Sequence, residues 1–182
     1  MHRIMHRVNT IEQLINTPVE LGIEVDIRSY NQEIIIHHDP FIIGESFVKW
    51  LSFFKHGFLI LNVKEEGLET RLLELMKMNN IKDFFFLDQS FPFLKKTIDI
   101  GEGRCAVRIS EYESIETVLM LTGIVEWVWI DCFSRFPLTF QQTNTLQKKG
   151  FKLCFVSPEL QGCSELTRIK KFRQDIECLG IH

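Results

Sequence analysis

The stretch "GIEVDIRSYNQEIIIHHDP" (Gly22–Pro40) predicts two neighbouring strands joined by a tight turn. In the first strand, Glu24, Asp26 and Arg28 occupy alternate positions, so all three side chains share one face. The second strand is apolar and ends on two histidines and an aspartate, at 37–39. Because soluble cores exclude such groups unless they are paired, the pattern indicates a site at the edge of a sheet.

Short apolar runs rich in Ile, Val and Phe recur along the whole chain, for example "GFLILNVK", "DFFFLD" and "EWVWIDCF". Their apolarity is continuous rather than alternating, which is typical of strands buried on both faces of a parallel sheet. Helix patterns lie between them, with start and stop signals such as Ser114 and Gly123 around one of them. This alternation of strands and helices predicts an α/β fold.

The spacing of these runs predicts a TIM-type (β/α) barrel, short or incomplete, that forms a single domain over residues 1–182. About seven βα units can be counted, whereas an eight-unit barrel usually needs about 200 residues or more. An eighth strand would begin at "GIH" (180–182), so that strand is missing or truncated, or the sequence is a fragment. An open doubly wound sheet is the alternative fold.

Composition excludes several classes of function. The net charge of −3 gives no reason to expect nucleic acid as a partner, since phosphate binding favours a basic face. No apolar run is long enough to span a bilayer, and the first residues lack the apolar stretch of a signal peptide, so we expect a cytoplasmic protein. Five cysteines without a CxxC pair fit buried reduced thiols better than a disulfide framework.

Carboxylates and imidazoles near the predicted strand ends indicate phosphate chemistry. Glu24 and Asp26 offer hard oxygen ligands for Mg²⁺ or Ca²⁺, although the same pair could form salt bridges with nearby arginines. His38 ends the second strand of the opening stretch, and His6 ends the first apolar run of the chain. Two imidazoles that flank a phosphate, one as base and one as acid, can transfer a phosphoryl group to a neighbouring hydroxyl.

Three motifs, "HR" at 6–7, "GIEVDIR" at 22–28 and "IIIHHDP" at 34–40, resemble in order and spacing the glycerophosphodiester phosphodiesterase family. That family is similar to the phosphatidylinositol-specific phospholipase C barrels. The resemblance implies a metal-binding hydrolase of lipid metabolism whose partner is a small glycerol- or sugar-phosphate diester. It assigns His6 and His38 as the general acid/base pair, and Glu24 and Asp26 as ligands of a divalent cation.

The chain departs from the family pattern at two positions. The family's third ligand is the glutamate of an E-x-K motif; here Lys64 matches the lysine and Asn62 stands at the glutamate position. Asn62 can bind a cation through its amide oxygen but adds no charge, so we expect weaker binding, unless Glu66 substitutes for it. The glycine that usually follows the HR motif is replaced by Val8, after Arg7.

Later candidates are less specific. Arg108 in "AVRIS" is the best further phosphate ligand, because a buried guanidinium needs an anion; a salt bridge to Glu111 or Glu24 is the alternative. Asp131 is interpreted as a structural carboxylate and Trp129 as a core residue.

Three hypotheses remain from the sequence. The first is phosphodiester hydrolysis, in which Arg7 and Lys64 bind the phosphate and stabilise the developing charge. The second is a degenerate, non-catalytic relative that binds a phosphorylated ligand. The third is lyase or isomerase chemistry through a Schiff base on Lys64.

Overall fold

The computed structural model describes residues 3–179. Contacts divide the chain into two compact units, His2–Glu102 and Gly103–His182, hereafter the N-terminal and C-terminal units. Strand pairing follows the same division, with a six-stranded sheet in the first unit and a three-stranded sheet in the second.

The N-terminal unit contains six strands and four helices. The strands are β1 (Ile4–Met5), β2 (Gly22–Tyr30), β3 (Glu33–Ile36), β4 (Glu45–Ser46), β5 (Leu59–Val63) and β6 (Phe84–Leu87). The helices are α1 (Ile11–Asn16), α2 (Phe47–Leu51), α3 (Glu69–Met78) and α4 (Phe91–Asp99). The sheet order is β4-β3-β2-β5-β6, and β1 also pairs with β2.

The centre of this sheet is parallel and buried, as the continuous apolar runs predict. β1, β5 and β6 run parallel to β2, and every residue of β5 and β6 is buried. Helix α1 is fixed at its start by a capping box, in which Thr10 and Gln13 each bind the other's backbone N–H. This box sets the turn that follows the polar end of β1.

The C-terminal unit contains three parallel strands in the order β7-β8-β9. They are β7 (Ala106–Ile109), β8 (Trp127–Ile130) and β9 (Lys152–Phe155). The helices are α5 (Ile115–Met120), α6 (Phe140–Lys148) and α7 (Leu166–Cys178), with a 3₁₀ turn at Pro158–Gln161.

The predicted TIM-type barrel is wrong. Within residues 3–179 the strands form two separate sheets rather than one closed ring, and the larger sheet is mixed. The hairpin of β2 and β3 is one physical reason: β1 pairs with β2 only as far as Ile23, and β3 occupies the strand from Ile27 onward in antiparallel register. The predicted start of an eighth strand, at 180–182, lies outside the described residues.

The structure also bears on the expectations for membrane spans and for cysteines. No helix among residues 3–179 is long and apolar enough to cross a membrane. The five cysteines, all within residues 3–179, form no disulfide. Cys105 and Cys132 are buried, Cys154 and Cys163 are partly exposed and Cys178 is exposed, so burial is confirmed for two of the five. The structure divides the chain into two compact units, and whether they form a single domain stays a prediction.

Candidate functional site

Most of the predicted site residues meet at one edge of the six-stranded sheet. They come from the end of β1, from β2, from the loop after β3 and from β5 with the residue that follows it. Parallel pairing places Asp26 beside Asn62, so the carboxyl ends of β2 and β5 lie together. The residues brought together are His6, Arg7, Glu24, Asp26, His38, Asn62 and Lys64.

Glu24 is completely buried and accepts two hydrogen bonds. Its Oε1 accepts a hydrogen bond from Asn62 Nδ2 at 2.7 Å, and its Oε2 accepts one from the backbone N–H of Arg7 at 2.6 Å. His6 Nε2 lies 3.6 Å from the same Oε2. Burial, and then the negative charge of Asp26, raise the pKa of Glu24 to about 7, so it exchanges its proton near neutral pH.

Asp26 is equally buried but faces a cation. Its Oδ2 accepts a hydrogen bond from Asn9 Nδ2 at 2.7 Å, and its Oδ1 lies 3.6 Å from Lys64 Nζ. Lys64 Nζ also donates to Asp88 Oδ2 at 2.9 Å. The carboxylates of β2 are therefore not consumed by side-chain pairs with Arg7 and Arg28, the alternative that the sequence left open.

Two buried oxygens on the paired residues fit a cation. Asp26 Oδ1 and Asn62 Oδ1 both lack a hydrogen-bond partner, although both residues are buried. Residues 3–179 contain no group of three or more His, Cys, Asp or Glu side chains that could hold a metal ion. The oxygens without a hydrogen bond are thus one from a carboxylate and one from an amide, since both oxygens of Glu24 already accept hydrogen bonds.

His38 has a defined tautomer because of its neighbours. Its Nε2 lies 2.9 Å from Arg7 Nη2, and its Nδ1 lies 2.8 Å from Asp39 Oδ1. A guanidinium can only donate, so Nε2 accepts and the Nδ1–H donates to the Asp39 carboxylate. That hydrogen bond lowers the pKa of Asp39. The ring of His37 makes a different contact: its Nδ1 accepts a hydrogen bond from the backbone N–H of Asp39 at 3.0 Å.

His6 is a neutral imidazole at neutral pH. Burial, and then the positive charge of Arg7, lower its pKa to about 4. The side chain remains partly accessible, and a cavity of about 320 Å³ lies beside it, lined also by Arg7 and by the α1 residues Gln13 and Asn16. The cavity thus lies on the side of His6 that faces α1.

No protein-family model matches this chain, and no curated protein matches it. The resemblance to glycerophosphodiester phosphodiesterases therefore rests on the three motifs alone and remains a prediction. Val8, at the glycine position of the family motif, is buried in the core, and its backbone N–H binds the carbonyl oxygen of Glu24 at 2.9 Å. The left-handed residue at this turn is Arg7, with φ of 56°.

Sequence reasoning missed the role of Arg28. Its Nε and Nη2 donate to the carbonyl oxygen of His38 at 3.1 and 2.9 Å, and its Nη1 donates to the carbonyl oxygen of Lys64 at 3.1 Å. One planar guanidinium thus connects the backbones of two candidate site residues. Carbonyl partners have no sequence signature, and the nearby acidic residues pointed to ion pairs instead.

Asn9 and Asp88 are further members of the site. Asn9 binds Asp26 twice, through Nδ2 to the carboxylate and through Oδ1 to the backbone N–H at 3.0 Å. The sequence feature that could have identified Asn9 is its position in "HRVNT", directly before Thr10, the N-cap residue of α1. Asp88 follows β6 at the same edge of the sheet as Lys64 and has a left-handed backbone, with φ of 65°. Glu66, the proposed substitute ligand, is exposed.

The later candidates belong to the C-terminal unit. Arg108 forms an ion pair with Asp131, which is buried and also accepts from Trp129 Nε1 at 3.2 Å and Gln161 Nε2 at 2.7 Å. Asp131 and Trp129 are thus a satisfied structural carboxylate and a buried core residue, as interpreted. Phosphate binding by Arg108 remains a prediction.

Glu111 was the other partner considered for Arg108, and it binds a loop instead. Its carboxylate accepts the backbone N–H groups of Phe133, Ser134 and Arg135. Burial opposes ionisation of this group, but the hydrogen bonds from Arg135 and Ser134 prevail and lower its pKa to about 2. Glu111 therefore has a structural role in the loop that follows β8.

Proposed function

We propose that this chain hydrolyses a phosphodiester of a small glycerol- or sugar-like molecule. The observation that supports this proposal best is that Arg7 lies near both histidines. Its guanidinium contacts His38, burial and then its charge lower the pKa of His6, and its backbone N–H binds Glu24, which lies 3.6 Å from His6. A phosphate held by Arg7 would lie near two imidazoles, which acid and base catalysis requires.

The proposed mechanism gives each histidine one proton transfer. Neutral His6 takes the proton of a hydroxyl next to the phosphate, and that oxygen attacks phosphorus. The bond from phosphorus to the leaving oxygen breaks, and this oxygen receives a proton from His38. A phosphate that draws Arg7 away leaves His38 Nε2 free to take up a proton from solvent before the reaction, and Asp39 stabilises the resulting charged ring. Water then opens the cyclic product with the roles reversed.

A divalent cation belongs to the same proposal. Glu24, Asp26 and Asn62 would hold Mg²⁺ or Ca²⁺, and the ion would supply positive charge to the phosphate oxygens. Lys64, which already faces Asp26, adds a second positive charge at this edge of the sheet. Because the pKa of Glu24 is about 7, the cation competes with a proton for this ligand.

A second candidate function is binding of a phosphorylated ligand without turnover. It is favoured by contacts that already satisfy the reactive groups, namely the bond of Arg7 to His38 and that of Asn62 to Glu24. The Schiff-base hypothesis has less support, because Lys64 Nζ is engaged by the carboxylates of Asp26 and Asp88. A cytoplasmic location is part of the proposal, supported by five free thiols that a reducing compartment preserves.

Hydrolysis of a set of glycerophosphodiesters with Mg²⁺, Ca²⁺ or Mn²⁺ tests the proposal. We expect turnover by the wild type and a loss of about 100-fold or more in both His6→Ala and His38→Ala. His37→Ala is the matched control and keeps nearly full activity, because its ring binds only the Asp39 backbone. An inert wild type that binds glycerophosphodiesters by calorimetry supports the second candidate, and an inert wild type that binds none contradicts both.

A further inference from the structure

Arg28 lies near the end of β2, on the same face of the strand as Glu24 and Asp26. Although two carboxylates share this face, the guanidinium forms no ion pair within residues 3–179. Its three hydrogen bonds all go to backbone carbonyl oxygens. Because every partner is a backbone oxygen, Arg28 determines where segments of the chain lie and does not neutralise a charge.

The carbonyl oxygens that Arg28 binds belong to two different segments. Nε and Nη2 donate to the oxygen of His38, at 3.1 and 2.9 Å, and Nη1 donates to the oxygen of Lys64, at 3.1 Å. His38 lies in the loop after β3 and Lys64 directly follows β5, so they are 10 and 36 positions from Arg28. One rigid, planar group therefore sets the spacing between the backbones of these two residues.

His38 lies just past the end of its strand, where Arg28 holds its backbone. β3 ends at Ile36, and the N–H of His37 still binds the carbonyl oxygen of Asp26 at 3.1 Å. One residue further on, the two ring contacts of His38 are exposed, whereas its bonds from Arg28 are partly buried. A hydrogen bond that is shielded from water is electrostatically stronger, so the backbone contact fixes this residue more firmly than the ring contacts do.

Lys64 is held by the same end of β2. Its backbone N–H donates to the carbonyl oxygen of Ile27 at 2.9 Å, and its carbonyl oxygen accepts from Arg28. The next residue, Glu65, accepts the backbone N–H of Ser29 through Oε2 at 2.8 Å. These contacts fix the point from which the ammonium group of Lys64 extends.

We propose that Arg28 is a positioning residue of the candidate site, whose guanidinium holds His38 and Lys64 at the spacing at which both face one bound phosphate. The inference rests on the proposed function for the chemistry, but its geometric part concerns the protein alone. Arg28 acts through these two residues and takes no part in the proton transfers. A displacement of about 1 Å can lower turnover by about 100-fold, so loss of the planar group should act on kcat and hardly on KM.

The ring signals of His38 in the NMR spectrum test the geometry without any need for turnover. At about pH 8 a free imidazole is neutral, and the contacts with Arg7 and Asp39 hold His38 as the Nδ1–H tautomer. We expect Arg28→Lys to move the ring nitrogen signals of His38 toward the average of the two tautomers. Lysine keeps the charge but offers one nitrogen instead of a planar fork, so it cannot hold both carbonyl oxygens.

Arg71→Lys is the matched control for this experiment. Arg71, on α3, donates through Nη1 to the carbonyl oxygen of Gln32 at 2.6 Å, so it also holds the backbone of the hairpin of β2 and β3, but at the turn. This variant should keep the wild-type signals of His38. Circular dichroism checks that both variants are folded.

Rescue by a small ion tests the same contact in a second variant. In Arg28→Ala, guanidinium ion at concentrations far below those that unfold proteins should occupy the vacated position and restore the wild-type signals of His38. Methylammonium has a single nitrogen and should not restore them.

Turnover then connects the geometry to the chemistry. On the glycerophosphodiester that the wild type hydrolyses fastest, we expect Arg28→Lys to lower kcat by about 10- to 100-fold and to change KM by less than about twofold. Guanidinium ion should restore part of the activity of Arg28→Ala, and Arg71→Lys should keep the wild-type values of both constants.

Each outcome decides one of the two claims. Signals of His38 that stay unchanged in Arg28→Lys, or that move equally in Arg71→Lys, overturn the positioning role whether or not the wild type is active. Signals that move only in Arg28→Lys, with an inert wild type, support the positioning role and contradict the proposed function. An active wild type whose Arg28→Lys variant changes KM alone overturns the positioning role and leaves the proposed function standing.

Discussion

At the scale of single residues, Glu24 and His6 show how burial sets the charge of the site. Desolvation favours the neutral form of both groups, so the pKa of Glu24 rises to about 7 and that of His6 falls to about 4. Near neutral pH a neutral imidazole therefore lies beside a carboxyl group that can bind either a proton or a cation.

Glu24→Gln should change how stability depends on pH. Between pH 4.5, the ordinary pKa, and about 7 the folded wild type holds a proton that the unfolded chain has released, so its free energy of unfolding falls as pH rises. The glutamine side chain binds no such proton, so the free energy of unfolding of the variant does not fall for this reason. We expect its stability relative to the wild type to increase by roughly 3 kcal/mol from pH 4.5 to 8, measured by urea unfolding.

The control for this experiment is Glu12→Gln, which replaces an exposed carboxylate on α1. Solvent screens that group, so its variant should follow the pH dependence of the wild type closely. A constant offset of Glu24→Gln is expected, because one amide cannot accept from both Arg7 and Asn62. A stability difference that does not change with pH would contradict the buried, proton-binding state of Glu24.

The sequence predicted the identity of the site residues better than their partners. Alternation along one strand placed Glu24 and Asp26 on one face, and in the structure His6 lies 3.6 Å from Glu24 and Lys64 lies 3.6 Å from Asp26. The carbonyl partners of Arg28 and the double bond of Asn9 to Asp26 depend on how segments distant in sequence approach each other. No local spacing encodes such contacts.

At the scale of elements, the hairpin of β2 and β3 determines where His38 lies. Its two loop residues, Asn31 and Gln32, have φ of 47° and 67°, as a tight turn between antiparallel strands requires. The chain then returns along β2, and the backbone N–H of His37 binds the carbonyl oxygen of Asp26 at 3.1 Å. The sequence predicted this turn, which brings His38 within 2.9 Å of Arg7.

Gly44→Ala should destabilise the loop that carries His38. An added Cβ would overlap the Ile36 carbonyl oxygen, and backbone cannot move aside as easily as a side chain. We expect a loss of about 1–3 kcal/mol in the free energy of unfolding, with weaker turnover. Gly57→Ala is the matched control, because nothing lies within 4 Å of its added Cβ. Equal stability of the two variants would contradict the close approach at Gly44.

At the scale of the whole molecule, the apolar runs predicted the strands correctly and their assembly wrongly. Every quoted run contains a strand, since burial on both faces leaves a local signal. Closure of a barrel depends instead on pairing between strands at sheet edges, and β6 and β7 belong to different sheets. Such pairing is a backbone contact between segments far apart and has no pattern in the side chains.

The central claim is that His6 and His38 flank one cation and phosphate site built on Glu24 and Asp26. Its most direct test is the effect of Mn²⁺ on the histidine ring signals in the NMR spectrum at about pH 8, where Glu24 is ionised. Paramagnetic Mn²⁺ broadens nearby nuclei. His56, at the opposite end of β5, is an internal reference.

We predict that low Mn²⁺ broadens the ring signals of His6 and His38 selectively, leaves His56 sharp, and has no such effect in Glu24→Gln. His6 lies beside Glu24, and His38 contacts Arg7, whose backbone N–H binds Glu24. An ion bound at Glu24 would therefore be near both histidines. Broadening that spares either His6 or His38, or that persists unchanged in Glu24→Gln, would contradict the account.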